Sequence, residues 1–129
     1  MSKFIKYWMP PIIWMAFIFF LSSRQKISVA DEYILNFLLF KTLHMIEYAF
    51  LFFLFFRAYH HSNDDKKSLQ KILALAFFSA IIFAISDEVH QLFVPTREGT
   101  VRDVFIDSLG IFIMFICIRM NIKKIRSCL

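Results

Sequence analysis

Four long apolar runs set the main limit on how this chain can fold. They belong to a sequence in which 59% of the residues are hydrophobic and only two are glycine. Such runs are apolar on every side of a helix, whereas a water-soluble helix carries a single apolar stripe. Each run is somewhat shorter than the roughly 20 residues that cross a bilayer, and flanking residues can supply the missing length. The runs cover Trp8–Leu21, Thr42–Phe56, Leu69–Ile85 and Val104–Ile118.

The runs predict an all-α integral membrane protein whose residues 1–129 form one domain. We expect a bundle of four transmembrane helices, at about residues 8–23, 42–58, 69–92 and 103–120. The first run could be a signal peptide, but no small-residue cleavage site follows it, so we predict an uncleaved anchor with Pro10 and Pro11 in its first turn. The segment DEYILNFLLF, residues 31–40, could form a separate interfacial helix or extend the second span.

Lysine and arginine are unevenly divided between the two sides of the predicted spans. The N-terminus, the middle loop and the C-terminal tail hold ten of them, and the other side holds five. Because cytoplasmic loops of membrane proteins carry the excess of lysine and arginine, we expect both termini in the cytoplasm. The five on the outer side are Arg24, Lys26, Lys41, Arg97 and Arg102.

The stretch SDEVHQLFVPTREGTVRDVFID, residues 86–107, holds seven of the chain's 25 charged residues. It joins the third and fourth spans at the outer boundary, where the second span also begins. Residues three and four apart share one face of a helix, so each span presents a polar face there. Glu88 points about 100° away and is not assigned to the group. The three faces contain His44, Glu47 and Tyr48; Asp87, His90 and Gln91; and Asp103, Asp107 and Gly110, whose glycine would allow close helix approach.

Several charged residues near this boundary have a structural alternative. Thr100-x-x-Asp103 resembles a capping box, so Asp103 could serve to begin a helix. Arg97 could be a solvated loop arginine, and solvation is what we expect for Glu98 and Arg102. The same expectation holds for two residues of the inner loop, His60 and His61.

Two carboxylates within the apolar runs are harder to explain by structure alone. Glu47 and Asp107 would be costly as ions in a membrane unless they are paired or hydrated, so they are candidates for function. The alternative is a purely structural polar knot formed by His44, Glu47, His90 and Asp107.

Two segments resemble the signature segments of VanZ-like proteins. They are KTLHMIEYAFLFFL and AISDEVHQLFVPTREGTVRDVFIDSLG, and the resemblance covers Lys41–Gly110. VanZ-like proteins are small integral membrane proteins associated with resistance to teicoplanin, so the resemblance implies a helical bundle at the cell envelope. It also implies a likeness to membrane enzymes that act on phosphate-linked lipid headgroups. Thr96 and Met114 depart from the family pattern, in which glycine is common at both positions.

The function that we favour is an enzyme acting on a lipid with a phosphate or pyrophosphate headgroup. Arg97 could bind phosphate oxygens, and His44 or His90 could act as general acid or base, oriented by Glu47 or Asp87. We expect His90 in particular to work chemically, with Asp87 fixing its tautomer. The assignments are His44, Glu47, Asp87, His90 and Asp107 for catalysis, and Gln91, Arg97, Asp103 and Tyr48 for substrate binding.

The sequence leaves the cofactor and the reaction open. A divalent metal held by Asp87, Asp103, Asp107 or a histidine could neutralise the phosphate, but no motif identifies a metal site or a reaction. The same residues could instead bind and shield a lipid-linked envelope precursor or a lipophilic antibiotic without catalysis. The partners that we expect for either function are membrane lipids or lipid-linked envelope precursors. We expect no nucleic acid, because the sequence has no basic recognition helix or stacking platform. A channel is disfavoured because the inner halves of the spans carry few polar residues.

Overall fold

The helices of the structure account for the four apolar runs and add a fifth element. A computed structural model describes residues 3–24, 33–62, 68–97 and 99–128. These residues form helices and turns with no strand, which confirms the all-α prediction. The helices are α1 (Lys3–Ser22), α2 (Tyr33–Ser62), α3 (Leu69–Gln91), α4 (Val101–Met120) and α5 (Ile122–Cys128).

Three helices, α1, α2 and α3, are long and apolar enough to cross a membrane. Their outward side chains include large apolar groups, such as Phe78 at 63% exposure and Ile82 at 66%. An extended surface of this kind is unfavourable in water and suits the hydrocarbon of a bilayer. α4 has the length, but every stretch of 18 residues in it includes at least three charged side chains. The helices are thus those of a multi-pass membrane protein, and membrane crossing by α4 stays a prediction.

Two helices are longer than predicted. α2 begins at Tyr33, so the segment DEYILNFLLF extends the second span from that residue onward, whereas Asp31 and Glu32 lie outside the described residues. α1 begins at Lys3, which places Pro10 and Pro11 inside the helix, so their assignment to its first turn is wrong. A membrane helix tolerates internal proline because neighbouring groups can satisfy the backbone carbonyls that proline leaves free.

The sequence does not predict α5. Asn121 separates it from α4, and Ile122 and Ile125 pack against the hydrophobic core, whereas Lys123 is exposed. A basic tail therefore becomes a short helix with one apolar side, because that side can pack on the bundle.

Small residues bring the helices close together. α2 lies at the centre and packs against α1, α3 and α4. Ala76, Ala80 and Ala84 recur at every fourth residue on the buried face of α3, where small side chains allow neighbouring backbones to approach. A Cβ atom at Gly110 would collide with the backbone carbonyl oxygen of Met45, so the close approach predicted at Gly110 is confirmed.

The bundle has two ends of different character. Ser22 of α1 contacts Asp87 of α3 at one end, and Trp8 of α1 contacts Ser62 of α2 at the other. We call the first end, where α1 and α3 finish and where α2 and α4 begin, the polar end. The opposite end, which includes α5, is the basic end. This alternating arrangement places the predicted site residues from separate helices at the same end.

Candidate functional site

The polar end collects most of the residues that the sequence singled out. The side chains of His44 and Glu47 are partly buried there, at 13% and 16% exposure. The faces of α2, α3 and α4 meet as their helical spacing predicts, and α1 adds a fourth side that the sequence did not indicate. The deeply buried polar residues of the end, each at most 5% exposed, are Ser22, Tyr48, Asp87, Glu88, Gln91, Asp103 and Asp107.

Asp87 joins α3 to α1 and faces α2. Its Oδ2 accepts hydrogen bonds from Ser22 Oγ of α1 at 2.8 Å and from Gln91 Nε2 at 3.1 Å. The hydroxyl of Tyr48 on α2 faces the same carboxylate but lies outside hydrogen-bond geometry. Gln91 is therefore hydrogen-bonded inside the bundle, whereas the Tyr48 hydroxyl has no hydrogen bond from a described group. The assignment of both residues to substrate binding stays a prediction.

Glu88 belongs to the polar end although its helical position pointed elsewhere. Its Oε1 accepts from Gln91 Nε2 at 3.3 Å, and its Oε2 accepts from the backbone N–H of Thr100 at 3.1 Å. The α3–α4 turn folds back over the end of α3, and Gly99 permits this because a Cβ there would collide with the carbonyl oxygen of Glu88. The path of the turn, which helical spacing does not specify, brings Glu88 into the cluster.

Asp103 forms only half of the predicted capping box. The Thr100 hydroxyl accepts from the Asp103 N–H at 3.2 Å, as in the motif. Glu88 takes the Thr100 N–H, so the Asp103 carboxylate is released to pair with Lys41 Nζ of α2 at 2.6 Å. Arg102 Nε lies 3.6 Å from its other oxygen. Asp103 therefore links α4 to α2 through Lys41, a residue that the sequence analysis placed only on the outer side.

His44 and Glu47 form the most accessible pair of predicted catalytic residues. His44 Nδ1 lies 3.6 Å from Glu47 Oε2, which is too far for a hydrogen bond and close enough for a charge interaction. Trp14 of α1 donates to the backbone carbonyl of Glu47 at 3.0 Å and holds this part of α2 in place. The pair thus lies on a fixed turn of α2 while remaining reachable from outside the bundle.

His90 faces α1 and does not contact Asp87. Its Nε2 lies 3.0 Å from Ser23 Oγ, and its ring stacks on Phe19 with centroids 4.1 Å apart. Asp87 points into the bundle, where its oxygen bonds with Ser22 and Gln91. Asp87 and His90 are three residues apart on α3, and their side chains contact different neighbours. The prediction that Asp87 fixes the His90 tautomer is therefore wrong.

Arg97 is an ordered part of the polar end. Its Nε donates to the carbonyl of Arg24 at 3.0 Å and its Nη2 donates to that of Leu21 at 3.1 Å. Carbonyls at the end of a helix have no partner within the helix, so the guanidinium caps α1. The alternative that Arg97 is a solvated loop residue is wrong.

The turn before α4 carries the remaining residues of the stretch. Thr96 has a φ of 69°, a left-handed conformation that favours the glycine expected at this position. Arg102 has a side chain that is 66% exposed, in keeping with the solvation expected for it. Glu98 lies outside the described residues.

Several buried polar atoms of the polar end make no hydrogen bond to another described group. Lys41 and Arg97 place positive charge close to them: Lys41 acts electrostatically on His44 and Asp107, and Arg97 acts on His44 and Glu47. Within the described ranges, no three His, Cys, Asp or Glu side chains are arranged to hold a metal ion. The atoms without a hydrogen bond are His44 Nδ1, Tyr48 Oη, Asp87 Oδ1, Asp103 Oδ1 and Asp107 Oδ2.

His60 and His61 are not solvated loop residues. Both lie in the last turn of α2 at the basic end and are half-buried. The His61 ring stacks on Tyr7 of α1 with centroids 4.3 Å apart. The prediction of solvation is wrong because α2 continues beyond its apolar run, where His61 packs on α1 and the His60 ring contacts Phe56 and His61.

Comparison with known proteins points to one family. The family model described as VanZ/LLP1 matches residues 7–123. This range includes all the residues of the polar end. No curated protein and no solved structure matches the chain.

Proposed function

Because the match covers most of its length, the chain belongs to the VanZ/LLP1 family, and we propose that it acts on the phosphate-containing headgroup of a lipid at the outer face of the cell membrane. The observation that carries the proposal is the group of five buried polar atoms at the polar end without a hydrogen bond from the described residues. Buried polar groups in proteins are nearly always hydrogen-bonded. Three of the five atoms are carboxylate oxygens, which accept hydrogen bonds, so the donors that satisfy them would be hydroxyl groups of the headgroup or water, while Lys41 and Arg97 attract its phosphate.

The proposal includes an orientation, with both termini in the cytoplasm and the polar end facing outward. It rests on the division of lysine and arginine between the two sides, ten against five. A single cysteine at Thr96, with Cys117 and Cys128 replaced by serine, should react with a membrane-impermeant maleimide in intact cells. Labelling only after permeabilisation would reverse the orientation and would remove an outer-face headgroup from consideration.

The proposed chemistry centres on His44 and Glu47. A histidine can accept and donate protons near neutral pH, and the carboxylate 3.6 Å from its Nδ1 can stabilise the imidazolium that forms when it accepts a proton. In this role, His44 activates the nucleophile or protonates the leaving group at the headgroup phosphorus. The partial exposure of His44 and Glu47 distinguishes this pair from Asp87 and Asp107, which are each 1% exposed and lie inside the bundle behind the pair.

Arg97 is the proposed phosphate ligand. A guanidinium has five N–H groups in a planar fork that suits phosphate oxygens. The bonds to the carbonyls of Leu21 in α1 and of Arg24 just beyond it use Nη2 and Nε and fix the plane of the fork. Its charge already acts on both His44 and Glu47, so a phosphate bound to Arg97 would lie close to the proton-transfer pair.

A binding role without catalysis is the second candidate, and a specific observation favours it. Asp87, Glu88 and Asp103 are each bonded, to Ser22, Thr100 and Lys41, so these carboxylates are held in fixed positions, as in a pocket that binds a ligand without proton transfer. In that case the protein would bind and shield a lipid-linked envelope precursor or a lipophilic antibiotic such as teicoplanin.

Turnover distinguishes the two candidates. Purified protein in lipid nanodiscs would be incubated with lipids that carry phosphate, pyrophosphate or phosphodiester headgroups, and altered lipids would be measured by mass spectrometry. We expect turnover of at least one class by the wild type, unchanged activity for Thr42→Ala, an exposed neighbour on α2, and loss for His44→Gln. Binding of the lipids without any product would contradict the enzymatic proposal and support the second candidate.

A susceptibility assay connects either candidate to the cell envelope. Cells that express the wild type should tolerate more teicoplanin than cells that express Arg97→Gln at the same membrane level. Equal susceptibility of the two strains, together with turnover in nanodiscs, would separate the enzymatic activity from glycopeptide resistance.

A further inference from the structure

A second concave surface lies between α3 and α4, on the basic half of the bundle. It is a groove of about 420 Å³ whose walls are phenylalanine rings and whose end carries Gln70 and Arg119. The rings pack on one another, with centroids 6.1 Å apart for Phe77 and Phe115 and 6.2 Å apart for Phe112 and Phe115. The groove is therefore a preformed feature of the two helices, and it does not include any residue of the polar end.

The groove opens on the side of the bundle that faces the membrane. Phe78 and Phe112 on its rim are 63% and 49% exposed, and they lie in helical stretches that are apolar around the groove. Hydrocarbon is the solvent at this depth, and an acyl chain is the hydrocarbon that can extend along a channel of rings. An apolar channel that finishes at an arginine matches a lipid, which joins an acyl chain to a charged headgroup.

The charge at the end of the groove is positive. Arg119 lines it, and Lys71 and Lys123 are exposed at the same end of the bundle. All acidic residues in the described part of the chain lie at the polar end. They are Glu47, Asp87, Glu88, Asp103 and Asp107. A headgroup with a net negative charge therefore meets attraction from Arg119, Lys71 and Lys123 at the basic end.

We propose that this groove binds one anionic phospholipid of the leaflet at the basic end, with an acyl chain along the phenylalanine rings and the phosphate on Arg119. Basic pockets between membrane helices bind anionic headgroups by such charge complementarity. Neither the lipid nor its site takes part in the function proposed for the polar end, so the two proposals can fail independently.

Native mass spectrometry of protein released from nanodiscs tests the proposal directly. The nanodiscs would contain equal amounts of phosphatidylglycerol and phosphatidylcholine with the same acyl chains. We expect one phosphatidylglycerol to remain bound in preference to phosphatidylcholine. A phosphatidylglycerol with a photoreactive acyl chain should crosslink to residues 69–78 and 112–119 of the wild type, and crosslinks confined to α1 and α2 would overturn the proposal.

Two variants test the contributions of the lipid headgroup and of the acyl chain separately. Arg119→Gln should weaken phosphatidylglycerol retention about fivefold and abolish the preference, because one basic residue near the surface contributes about that factor. Ala74→Phe should fill the groove and lower the retention of both lipids. Arg102→Gln, at the opposite end of α4, is the matched control and should behave as the wild type. Equal retention of the two lipids by the wild type, or unchanged retention by Ala74→Phe, would overturn the proposal.

Discussion

At the polar end the helices are joined by carboxylates, whereas at the basic end they are joined by aromatic rings. Asp103 pairs with Lys41 at the first end, while Tyr7 stacks on His61 and Trp8 packs edge-on against Tyr59 at the second. Both arrangements can hold helices together in a bilayer, where apolar burial gives little driving force and packing and polar contacts decide association. The rings of the basic end also suit a membrane interface, where aromatic side chains are enriched.

The two ends differ in how completely their polar groups are paired. At the polar end, three carboxylate oxygens are buried without a hydrogen bond from a described group, on Asp87, Asp103 and Asp107. At the basic end, the buried atoms of this kind are ring nitrogens of His60 and His61, whose rings also make aromatic contacts. Buried carboxylates cost more than aromatic contacts and give no better association, so stability alone does not explain the polar end.

The largest expected difference between the ends concerns their histidines. His44→Gln keeps a hydrogen-bonding side chain but cannot titrate, so we expect headgroup turnover to fall about 100-fold to 10,000-fold, the usual contribution of a general acid or base. His61→Gln removes a stacked ring at the basic end and should leave turnover unchanged. Both activities would be measured in nanodiscs at equal protein level.

His90 provides a second comparison within the polar end. Because it contacts Ser23 and Phe19 and no carboxylate among the described residues, we expect His90→Gln to lower turnover less than about threefold, the value of an average hydrogen bond in a membrane protein. A large loss in His90→Gln with normal activity in His44→Gln would transfer the proton-transfer role to His90. Equal losses in His44→Gln and His61→Gln would remove the functional distinction between the ends.

The ion pair that joins α2 to α4 concerns stability and not turnover. Among the described residues, Lys41→Met leaves the buried Asp103 carboxylate with one basic partner, Arg102 at 3.6 Å. Removing one partner of a buried pair typically costs about 3–5 kcal/mol of unfolding free energy, and the low end applies here because Arg102 remains. Trp8→Phe loses the exposed hydrogen bond to Ser62 at the basic end and part of the ring packed on Tyr59, while an aromatic ring remains, so it should cost about 1 kcal/mol.

Unfolding of micelle-embedded protein by denaturant would give both values. The double variant Lys41→Met with Asp103→Leu should recover much of the loss, because it leaves no charge without its partner. Asp103→Leu alone would be measured as well. If the double variant loses as much unfolding free energy as Lys41→Met and Asp103→Leu together, the two side chains do not interact, and the polar end is not joined by charge.

Most of the fold follows from the sequence because its apolar runs and helical spacing are local signals. The runs predict α1 to α4, and the positions three and four apart predict that the faces of Glu47, Asp87 and Asp107 meet. The start of α2 was left open between an interfacial helix and an extension of the second span. Tyr33–Phe40 is largely apolar and follows two acidic residues, and both kinds of helix share that pattern.

The part of the site that was missed depends on backbone and on the path of the turn. Arg97 bonds to carbonyls of Leu21 and Arg24, and every residue carries such an acceptor, so no sequence pattern identifies them. Glu88 enters the cluster because the α3–α4 turn folds back over α3. The contribution of Ser22 could have been found from its place at the end of an apolar run, at the depth of Asp87.

The smallest effect concerns the turns at the two ends. Thr96 at the polar end has a left-handed φ of 69°, which costs a residue with a side chain roughly 1–2 kcal/mol. Thr96→Gly removes that cost but gives the unfolded chain more freedom, worth about 0.4–1 kcal/mol, so we expect a net stabilisation of about 0.5–1 kcal/mol. Thr96→Ala keeps the cost and should show no gain.

Ser68 at the basic end has an ordinary φ of −58° and caps α3, so Ser68→Gly should destabilise by a few tenths of a kcal/mol. The four proteins would be compared by denaturant unfolding in the same micelles. A loss of stability in Thr96→Gly would mean that the threonine side chain contributes more to the polar end than its backbone conformation costs.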